Sequence, residues 1–383
     1  MKSFAYINIL INAIEKETDS LTTKYFFICI KEIIESFNEE FLSQEEINKK
    51  FQKFCEFINN IKIKRNQLLQ KQNSLQEKFM VNKTKKSNKE ELDDEQYIND
   101  LIIKDIGILE DIQTEITEIL GIFLKIHKNK SDYILEKIIN NLIPSYLNSK
   151  NNFEIKMALF LIDDLIEYIG QQKLKQITWD KIYYIIIQLL LSEDNSIRQA
   201  AVYGIGIFAL HTKESFDKYG KGLIEGVLNC LSFSINLKNE NKIGNEEDFL
   251  LAFDNVTSAI GKIINYKFNE KIVQENLNVL IEKWIINLPI KYDESEQELQ
   301  HEWIINLFIS KRDIIPVHCY PYFFKILPEI YQTQSSNKKI DNQIEMIFKN
   351  YVKKEEKLKI ILSQIYENGN DCVKNKLNIL AQL

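Results

Sequence analysis

Apolar residues fall in blocks of helical length along most of the chain, and the clearest pair of blocks runs from Trp179 to His211. The first block, Ile182 to Leu191, is apolar apart from Gln188. It is shorter than the roughly 20 residues a membrane span needs, so it predicts a buried helix. Ser192-Glu193-Asp194-Asn195-Ser196 reads as a turn. Asn195 and Ser196 are candidate N-caps for the helix that follows, and Ser196 with Gln199 would make a capping box. Asp194 and Arg198 stand four apart, a spacing that predicts a charge-assisted hydrogen bond pinning the turn. Beyond it, Ala200 and Ala201 let a paired helix approach closely, with Ile197 and Val202 in the seam. Two such helices cannot bury their own faces, so the pair predicts neighbours of the same kind.

The same periodicity predicts helices near 4–16, 21–37 and 44–70, then 97–127, 132–148, 153–169, 179–192 and 196–211. It continues with 216–236, 248–265, 271–286, 294–310, 340–352, 355–366 and a last one from 371. Anchored on one register position, the second helices place Gly121, Asp164, Gly206, Gly261 and Asn306 at intervals of 43, 42, 55 and 45 residues. Glu32 precedes Gly121 by 89, about two periods. A period of roughly 40 to 47 is that of stacked helix pairs, and a polar insertion at 237–248 accounts for the long interval. The stretch 70–96 loses its apolar pattern around Lys83–Asp94, which predicts a mobile charged linker. Pro144 is placed to kink its helix, whereas Pro289, Pro316, Pro321 and Pro328 fall near ends or loops.

With 383 residues the chain is too long for one compact core, and 11 Gly and 5 Pro are few turn residues for a β-rich design. Helical spacing outweighs the β-propensity of the abundant Ile, so the fold class is all-α. The formal charge of −6 and pI near 5.6 argue against direct nucleic-acid binding and favour basic protein partners. Cys29, Cys55, Cys230, Cys319 and Cys372 lack CxxC spacing and read as buried reduced thiols of a cytosolic or nuclear protein. The segment Met1–Ser20 has no signal-peptide cleavage site, and no membrane association is expected.

No catalytic set is legible, and no enzyme is expected. Gly204-x-Gly206 lies inside a predicted helix without the strand, turn and third glycine that a dinucleotide site needs, so it reads as close packing. His127, His211 and His301 lack metal-ligand spacing and read as surface or cap histidines. His318-Cys319 are adjacent, which is not the geometry of a nucleophile and its base. No metal and no cofactor are expected. Trp179 and Trp284 read as core residues.

Several segments together resemble the importin-β family of nuclear transport receptors, in its C-terminal part. They are IRQAAVYGIGIFA (197–209), LIDDLIEYIG (161–170), NVTSAIGKIINY (255–266) and WIINLP (284–289). INAIEKETDS (11–20), CIKEIIESF (29–37) and LDDEQY (92–97) add to the likeness. The turn with Asp194 followed by apolar-Arg-x-Ala-Ala is similar to a HEAT repeat. The resemblance implies a single α-solenoid of HEAT-type antiparallel helix pairs over 1–383, whose second helices line a concave cargo face. On that face Asp163, Asp164, Glu167, Asp254, Asn255, Glu302 and Asn306 would form polar rungs, with Trp303 clamping the stem of a cargo Lys or Arg. It also implies basic cargo such as ribosomal proteins or histones, release by Ran GTPase bound mainly through repeats outside these residues, FG-nucleoporin contact, and residence in cytoplasm, nucleus and pores. A static HEAT scaffold organising a complex is the alternative, because fold alone does not separate the two.

Overall fold

The computed structural model describes residues 2–37, 41–84, 89–212, 214–334 and 336–382, and among these the regular structure is helical with no strand. They form two compact units, Met1–Ile169 and Gly170–Leu383.

The first unit holds α1 (Lys2–Ile14), α2 (Ser20–Glu35), α3 (Gln44–Thr84) and α4 (Lys89–Ile126). Then come α5 (Asp132–Lys137), α6 (Ile143–Leu147) and α7 (Asn152–Asp164). The second helices α2, α4 and α7 pack in succession, and α3 lies along α4. Phe54 joins the layers, with ring centroids 6.4 Å from Phe27 of α2 and 5.8 Å from Phe123 of α4. Between α5 and α6 a π-helical stretch, Ile138–Leu142, precedes Pro144. A proline offers no amide to the preceding turn, and the wider π spacing absorbs that loss without ending the helix. The linker expected over 70–96 is corrected, since helix persists to Thr84 and resumes at Lys89. Residues 85–88, at the centre of that expectation, lie outside the described residues. The described parts of α3 and α4 pack on one another, so a thin apolar seam suffices to hold them.

The second unit holds α8 (Gly170–Lys173), α9 (Gln176–Leu189), α10 (Asn195–His211), α11 (Glu214–Asn239), α12 (Glu246–Tyr266) and α13 (Lys271–Asn287). It closes with α14 (Glu294–Lys311), α15 (Tyr320–Ile330), α16 (Lys338–Asn350), α17 (Glu356–Asn368) and α18 (Asp371–Gln382). Here α10, α12, α14 and α16 stack as one layer, and α9, α11, α13 and α15 as the other. The polar insertion narrows to 240–245, because α11 runs on to Asn239. Gly244 there takes φ +65°, and the Asn195 side chain of α10 donates to the carbonyls of Ile243 (2.7 Å) and Asn245 (3.2 Å). Helix α15 was not expected. Pro321 sits in its first turn, where no amide is needed, and Pro328 comes only near its end.

Side-chain caps open most second helices. Asp19, Asn151, Asp194, Asn245 and Asn337 each accept backbone amides at the start of α2, α7, α10, α12 and α16. Asp194, not Asn195 or Ser196, is the cap of α10, taking the amides of Ser196 (3.0 Å) and Ile197 (3.1 Å). Glycines admit large side chains between stacked helices. A Cβ on Gly206 would lie 2.7 Å from Cδ of Lys262, and one on Gly261 would meet Gln300 and Trp284. The space they leave holds a buried polar network. Trp284 Nε1 donates to Gln300 Oε1 (2.9 Å), Gln300 Nε2 to Ser258 Oγ (3.1 Å), and Ser258 and Lys262 both donate to Glu296.

Candidate functional site

Helix α7 gives way at its end to a π turn, Leu165–Ile169. The extra residue per turn shifts the helical phase, so Asp163 and Glu167 do not share a face as expected. Asp163 is buried, whereas Asp164 and Glu167 remain half-buried at the surface. Asp164 lies against α4 where Gly121 has no side chain. A Cβ there would come within 2.7 Å of the Asp164 carboxyl carbon. Burial, then the nearby charges of Glu167 and Glu118, push its pKa up to about 8. Neighbouring Tyr168 is pushed up to about 12 by burial and by Glu167 and Asp164.

Sequence reasoning did not include the α4 carboxylates in this group. Asp111, Glu115 and Glu118 recur at four and three residues, a spacing that keeps them along one side of α4. Two lysines of α2 answer them: Lys24 reaches Asp111 at 2.7 Å, and Lys31 reaches Glu115 at 2.6 Å and Glu118 at 2.7 Å. The repeat register held the signal, because Glu118 stands three residues before the anchor Gly121 just as Trp303 stands three before Asn306.

In the second unit the expected rungs serve the fold. Asp254 is buried and accepts the amides of Lys291 (2.9 Å), Tyr292 (2.6 Å) and Asp293 (3.2 Å), tying α12 to the turn before α14. Burial raises its pKa, and those three amides oppose the rise. Asn255, also buried, donates to the Leu251 carbonyl (3.0 Å) and to Asp293 (2.9 Å). Exposed rungs at Asp163, Asp254 and Asn255 are therefore corrected. A side chain this deep is satisfied from within the chain and is not offered to a ligand. Glu302, Trp303 and Asn306 stay half-buried. Lys339 pairs with Glu302 at 2.5 Å, Gln343 donates to Asn306 at 2.7 Å, and the Trp303 ring meets Tyr266 edge-on at 5.1 Å. At the turn, Arg198 is buried and donates to the Ser192 carbonyl (2.6 Å) and to the Asn195 side chain.

Trp179 and Trp284 are buried core residues, but His127 and His301 are buried too, against expectation. His127 follows the end of α4, with the rings of Phe41 and Phe123 beside it at 4.9 and 5.9 Å, and His301 lies on α14. Cys29 and Cys372 are exposed rather than buried. Among the described residues no group of three or more His, Cys, Asp and Glu could hold a metal ion, and no helix is long and apolar enough to cross a membrane.

No family model matches the sequence. Among curated proteins it is similar to importin subunit beta-3 of Saccharomyces cerevisiae, 25% identical over 210 residues, which are 54% of this chain and 18% of that protein. It is also similar to a probable importin-5 homolog of Dictyostelium discoideum, 27% identical over 194 residues, 49% of this chain and 17% of that protein. Both relatives are importins, of the importin-β family that the sequence resembles. That is a family of transport receptors, not enzymes. A solved structure of the karyopherin Kap121p bound to the SUMO protease Ulp1p matches 98% of this chain and 30% of its own, with TM-score 0.61 at 15% identity. Kap121p bound to RanGTP matches the same shares with TM-score 0.55 at 15% identity. The all-α solenoid of HEAT-type pairs expected from the sequence is the fold these importin-β relatives share. The chain spans less than a fifth of the curated importins it matches and about 30% of the solved ones.

Proposed function

We propose that the chain contributes a cargo-binding surface to nuclear transport, with Asp164 and Glu167 of the first unit receiving lysine or arginine side chains of a basic protein. The observation that carries this reading is the pair's setting. Two half-buried carboxyl groups stand beside Glu118, and burial first, then the repulsion of Glu167 and Glu118, holds a proton on Asp164. A cation docking there would relieve that repulsion, and in a partly desolvated site such a charge pair counts for more than on an open surface. In the second unit Glu302, Trp303 and Asn306 offer a smaller site of the same kind, where a cargo lysine would compete with Lys339 for Glu302. Ribosomal proteins and histones are the cargo class this chemistry fits. Release would follow Ran·GTP, bound mainly through further repeats, with FG-nucleoporin contact during passage and residence in both cytoplasm and nucleus.

The test is titration of a lysine-rich protein, such as a histone, against the chain and its Asp164→Lys/Glu167→Lys variant. Charge reversal is expected to weaken binding at least tenfold, and unchanged affinity would remove these residues from the site. Release of the bound protein by Ran·GTP but not by Ran·GDP supports the transport role. One stable stoichiometric complex indifferent to Ran would favour a static scaffold.

A further inference from the structure

We propose that the cavity enclosed by α16, α17 and α18 binds a small ligand with an aliphatic body and an anionic head, of the medium-chain carboxylate class. This does not rest on the transport reading.

The three helices do not close on one another. Helices α17 and α18 are joined only by Gly369 and Asn370, and a cavity of about 550 Å³ lies between them and the end of α16. Small-molecule sites run from about 300 to about 1,000 Å³, so the space is of ligand size. Lys359, Leu362, Ser363, Tyr366 and Glu367 recur at helical spacing, so one face of α17 forms a wall. That face alternates apolar with polar side chains and leaves the apolar residues of α18 without full cover. Phe348 of α16, Val352 just beyond it, and Leu377 and Leu380 of α18 complete the apolar lining. The uncharged polar groups are already engaged. Ser363 donates to the Lys359 carbonyl of its own helix (3.0 Å), and Asn378 donates to the Tyr366 hydroxyl (3.5 Å).

The depth of the lining selects a thin ligand over a helix. Phe348, Val352, Leu377 and Leu380 all face the cavity, yet none is more than 8% exposed. A helix packs on side chains that stand out from a surface, and these are recessed below it. An alkyl chain reaches them, and each methylene it buries there contributes about 0.8 kcal/mol at most.

Charge sets the head group. The charged side chains of the lining are Lys353, Lys359 and Glu367. Lys359 and Glu367 lie about 12 Å apart along α17, and Lys353 precedes that helix at the Lys359 end. Glu356 holds Lys359 at 3.1 Å, whereas Lys353 is exposed and has no ion-pair partner among the described residues. Nearby, Lys349, Lys354 and Lys357 outnumber Glu355 and Glu356, and Glu355 is already taken by Arg312 at 2.6 Å. At the far end Glu367 and Asp371 are offset by Lys374, which lies over the Tyr366 ring at 6.0 Å, and by Lys376. An anion is therefore favoured at one end, and a cation at neither.

The experiment is calorimetric titration of the full chain with decanoate, decanol and decyltrimethylammonium. Decanoate should bind once per chain, at least tenfold more tightly than decyltrimethylammonium. Ala381→Trp, which fills the cavity from an exposed position on its wall, should weaken decanoate at least tenfold. Lys353→Glu should weaken decanoate about fivefold and leave decanol unchanged. Lys357→Glu, in the same basic run but off the lining, should change neither by as much as twofold. Absence of decanoate binding, equal binding of the ammonium, or indifference to Ala381→Trp in a variant of unchanged circular dichroism would each overturn the proposal. So would equal losses in Lys353→Glu and Lys357→Glu, since the attraction would then be to the surface and not to the cavity. An acidic leucine-rich peptide that binds more tightly than decanoate, and is lost on Ala381→Trp, would make a protein segment the occupant and overturn it too.

Discussion

Asp164 is a carboxyl group that its surroundings keep protonated near neutral pH, and this has a consequence for stability. Its folded value is raised to about 8, by burial first and then by Glu167 and Glu118. An unfolded chain releases the same proton near the ordinary aspartate value, roughly 4. The folded state therefore binds more protons between those two values, and stability is lost as pH rises from about 4 towards about 8. Asp164→Asn removes the ionisation and should be neutral at pH 4 but raise Tm by about 3 °C at pH 8.5, read by thermal melts across that range. A wild type and variant with parallel Tm profiles would contradict the assignment. At this scale the sequence was legible by register but not by depth. Asp164 and Glu167 stand out on the predicted second helix, yet nothing in the spacing says that a π turn sends Asp163 inward. Asp254 and Asn255 carried the same polar signal as a binding rung. Asp254 is taken up by the backbone amides of 291–293, groups with no side-chain signature in a sequence, and Asn255 by the Leu251 carbonyl and the Asp293 side chain.

Most helices were legible because a 3.6-residue apolar period survives even in an Ile-, Asn- and Lys-rich composition. Helix α15 was missed because three prolines mark its neighbourhood, although one in a first turn and one near the end do little harm. The α3–α4 pair was misread over 70–96 because its seam is narrower than the face of a core helix. Between stacked helices, the sequence showed glycines but not what they admit. Lys262 and Glu296 form a buried pair on α12 and α14, with side chains 8% exposed each. Removing one partner strands a buried charge, which costs about 3–5 kcal/mol, whereas replacing both by apolar residues is often near neutral. Lys262→Met should accordingly lower stability by about 3 kcal/mol in urea melts, and Lys262→Met with Glu296→Leu should recover most of the loss. Equal losses in the single and double variants would show that Ser258 and Gln300, not the ion pair, set the cost.

For the molecule as a whole, 55 acidic against 49 basic residues give only a modest net charge, so attraction to basic partners has to come from where the charges sit. Many carboxylates are already answered within the chain, as Asp111, Glu115 and Glu118 are by Lys24 and Lys31. Asp164 differs in that a proton does the neutralising, and a docking lysine would take over that role. Binding of a cation at Asp164 should then release a proton and tighten as pH rises. For a protein whose folded acid titrates at about 8, affinity for a lysine-rich partner should grow roughly tenfold from pH 6.5 to pH 8.5. This runs opposite to the loss of stability over the same interval, so a trend caused by partial unfolding would have the wrong sign. Added salt should weaken the same binding, because screening shortens the reach of exposed charges to about 10 Å at 0.1 M. The Asp164→Asn chain should keep the salt dependence, which other carboxylates share, and lose the pH dependence, which belongs to this one group. Calorimetry in two buffers of different ionisation enthalpy counts the protons directly. A wild type that releases none, or an Asp164→Asn chain that releases as many, would place the cation somewhere other than beside Asp164.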